Sequence, residues 1–143
     1  MRKLLIGGVA ALAATTFALP AQADPGGGQA ALTRSFAEAG GPFIGHWGAH
    51  GESVTVNGDG SGVEIASRGT LNFRLSTVQT STNPWDTAYG NVTSGFLERG
   101  AFVTMQLVDG GQGMAFSAGG GDSNFPFCKY VGGSPVNSAD CGA

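Results

Sequence analysis

The sequence predicts an all-β protein. The expected fold is a small antiparallel meander of seven or eight strands, closed into a barrel or folded as a sandwich, with one short helix on its N-terminal side. Three observations carry this. From Phe43 onward, apolar residues alternate with polar ones instead of recurring every three or four positions. The alternating runs are short and come at intervals of about 8–12 residues. Between them lie clusters of Gly, Asn and Asp. Glycine alone supplies 26 of the 143 residues, which suits turns, bulges and barrel corners. The glycines keep no three-residue period, so a collagen helix is excluded.

The first 23 residues read as an address. Arg2 and Lys3 form a positive start, residues 4–19 are apolar or small apart from Thr15 and Thr16, Pro20 breaks the run, and Ala21-Gln22-Ala23 is an A-x-A site. This is the pattern of a secretory signal peptide, with cleavage expected after Ala23. The apolar run is shorter than the roughly 20 residues of a membrane span. Loss of Arg2 and Lys3 leaves five of the seven basic residues against ten acidic ones, a net charge of −5. An acidic, exported chain of this kind is not expected to bind nucleic acid, which calls for a basic face. Stable insertion in a membrane is not expected after cleavage.

Residues 24–41 form a flexible lead-in and the helix. Leu32 and Phe36 stand four apart on one face of a segment expected to be helical over residues 29–39, and Gly40-Gly41-Pro42 stops it. Residues 42–143 hold the barrel. Phe43, Trp47 and Ala49 alternate with Ile44, His46 and His50. Val54 and Val56 share a face. A turn cluster runs from Asn57 to Gly62, after which Val63 and Ile65 are expected inward and Glu64 outward. Leu71, Phe73 and Leu75 follow. Residues 81–84 are a loop, and a strand is expected over residues 89–96. Val103, Met105 and Leu107, then Met114 and Phe116, continue the alternation. A last strand is expected over residues 125–131. Beyond it, Cys128 and Cys141 are the only cysteines, and in an exported chain they predict one disulfide that ties the polar tail to this strand.

Motifs for chemistry are sparse. His46 and His50 are four apart, which on a helix would pair them at a metal; on a strand they stand about 13 Å apart, and no Cys, Asp or Glu motif completes a site. Asn57, Asp59, Ser61 and Gly62 match the opening of a calcium loop. The twelfth position, however, is Arg68 where Glu is required, so the segment reads as a hairpin. No G-x-S-x-G elbow, S-x-x-K motif or phosphate-binding loop is present. No catalytic residue, metal or cofactor is therefore expected. Asn91-Val92-Thr93 fits a glycosylation sequon.

The segment Phe43-Ile44-Gly45-His46-Trp47 resembles the Gly-x-Trp opening of lipocalin-like and avidin-like barrels, and the stretch from Ser53 to Gly62 resembles the second strand and turn of avidins. The resemblance implies a barrel whose Trp47 packs at the closed end. The whole layout is similar to small secreted proteins of actinobacteria, with a leader, a Gly-x-Trp start, an Asp-Gly hairpin and a Cys-Gly-Ala ending. That likeness implies a fold and a location but no reaction. The expectation is a secreted, non-enzymatic barrel that binds a small apolar ligand, an envelope component or a protein. Trp47, Phe73 and Met105 are the expected ligand-lining residues. Trp85, after Pro84 in a polar loop, is the expected contact of an alternative inhibitor-like protein that acts through exposed loops; the other alternative, a hydrolase, requires His46 or His50 beside an Asp and a Ser in one cleft.

Overall fold

A computed structural model describes residues 31–81, 85–122 and 126–136. The chain enters along strand β1 (Leu32–Ser35), turns into the four-residue helix α1 (Phe36–Ala39) and then into a 3-10 turn (Gly41–Phe43). The helix is much shorter than the periodicity predicts. Residues 29 and 30 lie outside the described residues, and Leu32–Ser35 is extended. The reason lies in β5 (Gly69–Thr80), which is longer than its neighbour β4 (Ser61–Ala66). The β4 pairing ends at Ser61 opposite Arg74, so the edge of β5 from Thr77 to Thr80 is open, and β1 takes it. Sheet hydrogen bonds outweigh a weak, alanine-rich helical signal. Helix α1 begins only where Glu38 Oε2 accepts hydrogen bonds from the Ser35 backbone N–H and hydroxyl. The same bonds hold the exposed Glu38 carboxyl below its ordinary value.

Strands β2 (Gly45–Ala49), β3 (Glu52–Val56), β4, β5, β6 (Thr87–Gly95), β7 (Phe102–Val108) and β8 (Gly113–Ala118) each pair antiparallel with the next. Strand β10 (Phe127–Val131) pairs with both β8 and β2, which closes an eight-stranded antiparallel barrel. Two-residue strands β9 (Gly121–Asp122) and β11 (Ser134–Pro135) extend β8 and β10. Closure pairs both ends of the meander, β2 and β8, with β10.

In an up-and-down barrel alternate strands run the same way, so β2, β4, β6 and β8 all end at one rim. The two rims differ. At the start of β2 the interior holds Phe43, Leu75, Val78 and Met114, and α1 adds Phe36, whose ring centroid lies 6.4 Å from that of Phe43. Mid-barrel, the Phe116 ring packs on Phe73 and Phe127, with centroids at 5.5 and 6.2 Å. At the other rim the inward residues of β2, β4 and β8 shrink to Ala49, Ala66 and Ala118. β8 meets β10 only at its first two residues, Gly113 and Met114, and at this rim its far end pairs with β9 instead.

The phase of β4 is the reverse of the expected one. Ile65 is 54% exposed, whereas Glu64 is 2% exposed and faces inward between Gly62 and Ala66. The β3–β4 turn explains this. Asn57 N–H donates to the Ser61 carbonyl and Gly60 N–H to that of Asn57, which sets Val56 opposite Gly62 and Val54 opposite Glu64. Directly opposed residues share a face. Because Val54 and Val56 point in, Gly62 and Glu64 must as well. Gly62 is required there, since a Cβ would overlap the Phe73 ring that fills the space opposite it.

Candidate functional site

The expected ligand-lining residues are core residues. Trp47 and Met105 have no exposed surface and Phe73 is 1% exposed, so each is in contact with packed side chains all round. Trp47 closes one rim. Its indole Nε1 donates to the Phe43 carbonyl at 2.9 Å. Lys129, opposite Trp47 on β10, donates from Nζ to the Pro42 carbonyl at 3.1 Å and stands 5.2 Å from the indole centre. Trp85 is half-buried at the foot of the β5–β6 connection, away from the other three in the chain, and residues 82–84 of that loop lie outside the described residues.

The remaining sequence motifs are dispersed over the surface. His46 is exposed on the outer face of β2, with Nδ1 3.0 Å from the Thr55 hydroxyl and its ring edge-on to Tyr130. His50 sits at the β2–β3 turn with a positive φ of 41°. Among the described residues no three His, Cys, Asp or Glu side chains converge to hold a metal. The loop that begins like a calcium site spends its oxygens internally: Asp59 accepts from both the backbone and hydroxyl of Ser61, which holds its carboxyl below the ordinary value. The side chain of Asn91 donates to the Gly100 carbonyl at 2.9 Å. Cys128 is buried on β10, and no free cysteine occurs among the described residues. Cys141 and the signal segment lie outside them.

The alanine-lined rim holds the feature that alternation alone misses. Glu64 is the one charged side chain in the buried interior of the described residues, and its Oε2 atom has no hydrogen-bond partner there. Buried carboxylates are ordinarily paired. Burial pushes the Glu64 carboxyl up from its ordinary range; Arg68 pulls it down less strongly, and Glu52 adds to the rise. Arg68, on the β4–β5 turn, is exposed and lies against Phe96 of the β6–β7 loop, 4.8 Å from the ring centre. Phe96 and Leu97 pack on the core from that loop. Leu97 also approaches Gly119 of the β8–β9 turn, so the loop spans several strands of this rim. One signal could have found Glu64 in the sequence. Counting across the five residues that separate an inward Val56 from its partner puts positions 62 and 64 inward. Comparison with family models, curated proteins and solved structures finds no match for this chain.

Chemically, the rim offers a buried carboxyl that burial makes harder to ionise, small apolar walls and an aromatic loop. The arrangement suits recognition of a small polar group whose apolar body packs on alanine methyls.

Proposed function

We propose that the mature chain is an exported, non-enzymatic β-barrel that binds a small molecule at its alanine-lined rim. The carrying observation is Glu64, a carboxyl buried to 2% exposure whose Oε2 has no partner among the described residues. Leaving such a group unpaired destabilises a fold by roughly 1–3 kcal/mol. A protein of modest core retains it most readily where a ligand completes its hydrogen bonds. The filled mid-barrel favours binding at the rim over a deep apolar pocket. The leader supports export, with Asp24 as the mature N-terminus, and the two cysteines of an exported chain support a Cys128–Cys141 bridge. The half-buried state of Trp85 gives the loop-anchored inhibitor reading less to stand on.

Native mass spectrometry of protein purified from its own culture medium tests this. The expected result is a chain beginning at Asp24 that carries a small adduct, lost on mild activation. A bare mass in every preparation, with no melting shift from a small-molecule panel, overturns the binding reading. Intact Met1 in a membrane fraction overturns export.

A further inference from the structure

We propose that the ligand of the alanine-lined rim is an organic cation, an alkyl- or arylammonium whose N–H groups pair with the Glu64 carboxylate. The inference rests on the reading of that rim as a binding site and adds the ligand's class.

The first argument is donor supply. An ionised carboxylate is acceptor-only, with room for several donors, and Oε2 of Glu64 receives none from the described residues. An ammonium brings three donors and the charge that stabilises the ionised form, and such charge-assisted bonds are about twice as strong as neutral ones. A neutral alcohol brings one donor and no charge.

The second argument is the local field. Strand β3 contributes Glu52, and the β4–β5 turn contributes Arg68, while the β5 and β3 residues directly opposite Glu64 are the uncharged Leu71 and Val54. Two carboxylates thus face one guanidinium, and that guanidinium is exposed and rests on Phe96. The whole chain carries a net charge of −3, which also disfavours an anion. The Phe96 ring, with Arg68 over it, adds an aromatic side chain to the same rim as the carboxyl. The third argument is shape. Ala49, Ala66 and Ala118 narrow the side chains of this rim to methyl groups, which a hydrocarbon body can cover.

Three probes of one shape and different charge test the class: benzylamine, benzyl alcohol and benzoate, titrated into the purified protein by calorimetry at neutral pH. Benzylamine is expected to bind about ten-fold more tightly than benzyl alcohol. Glu64→Gln should bring benzylamine to the level of the alcohol and leave the alcohol unchanged. Benzylamine affinity should fall as the pH is lowered and Glu64 takes up a proton, whereas the alcohol's affinity should not. Ala66→Leu, which fills the rim, should weaken all three probes; since it leaves Glu64 in place, it also serves if Glu64→Gln fails to fold.

Equal affinity for amine and alcohol, preference for benzoate, or benzylamine binding that survives Glu64→Gln overturns the cation class while the rim site stands. Failure of all three probes to bind, or binding indifferent to Ala66→Leu, overturns the rim site and the cation class with it.

Discussion

The two rims of this barrel are built from the same alternation and end in opposite chemistry. At the rim where β2 begins, bulky side chains fill the interior, α1 docks Phe36 beneath them, and the polar atoms of Trp47 and Lys129 both reach backbone carbonyls. At the rim where β2 ends, alanines replace the bulky residues and a buried carboxyl oxygen lacks a partner among the described residues. At the first rim apolar area is removed from water and the polar atoms of Trp47 and Lys129 are bonded. The second departs from this at a single residue. Departures of this kind concentrate where a protein does something other than fold. The contrast sets stability at one rim against the recognition we propose for the other.

The largest effect should come from the closed rim. Trp47→Ala should lower stability by about 3–5 kcal/mol in urea unfolding, because it removes a wholly buried indole and leaves a cavity beside Phe43. A loss below about 1 kcal/mol would mean that this rim does not anchor the barrel. The proposed Cys128–Cys141 bridge comes next. Cys128 sits on β10 opposite Gly48 and Gly113, so the bridge would tie the tail directly to the closing strand. Cys141→Ala should lower stability by about 2–3 kcal/mol and expose the tail to protease while the barrel stays folded. Two titratable thiols in oxidised, exported protein would remove the bridge from the account, and loss of all β structure in the variant would make the tail part of the core.

The alanine-lined rim should respond in the opposite direction. Glu64→Met removes a buried polar group of similar length and should raise stability by about 1–2 kcal/mol at neutral pH. The pH dependence has a definite sign. Burial raises the Glu64 carboxyl in the folded state above its ordinary value, so the folded state holds the proton more tightly than the unfolded chain. Glu64 therefore does least harm at acidic pH, and its penalty grows as pH rises past the ordinary carboxylate range and through its raised folded value. Melting curves of the native protein and Glu64→Gln should converge in acid and diverge towards neutral pH, with the variant higher. Parallel curves would show that Glu64 titrates normally and would weaken the contrast between the rims.

Much of this was legible in the sequence, and the misreadings share a cause. Alternation located the strands because runs of each keep one inward face, as at Leu71, Phe73 and Leu75, although a register shift after Leu75 turns Val78 inward on the same strand. The Gly-x-Trp resemblance implies closed-end structure for Trp47, while alternation alone makes it, with Phe73 and Met105, a candidate ligand-lining residue. Periodicity cannot distinguish a filled interior from a hollow one, because both require apolar inward residues. The β4 error was one of phase. Val63 and Ile65 look like core residues in isolation, but the turn at Asn57–Gly60 fixes the register with β3, and register decides the face. The helix error was one of competition. An open edge on β5 exists only once β4 has ended, and no local window around Leu32 contains that information.

The smallest effect expected belongs to Lys129, and it tests how the closed rim is held. Lys129 lies opposite Trp47 on β10, its Nζ donates to the Pro42 carbonyl, and its charge stands 5.2 Å from the indole centre. The pair joins β10 to β2 and to the 3-10 turn before β2. Lys129→Met keeps the aliphatic stem over Trp47 and removes only the charge and the hydrogen bond. The expected loss is about 1 kcal/mol, the sum of a partly exposed cation–π contact and one hydrogen bond. Because the lost terms are electrostatic, the difference between native and variant should shrink in high salt. Lys129→Ala strips the stem as well, so its loss should exceed that of Lys129→Met and should keep a salt-independent part. If Met and Ala behave alike, the stem contributes nothing and the lysine acts only through Pro42. If Lys129→Met changes nothing while Trp47→Ala unfolds the barrel, the closed rim is held by burial alone.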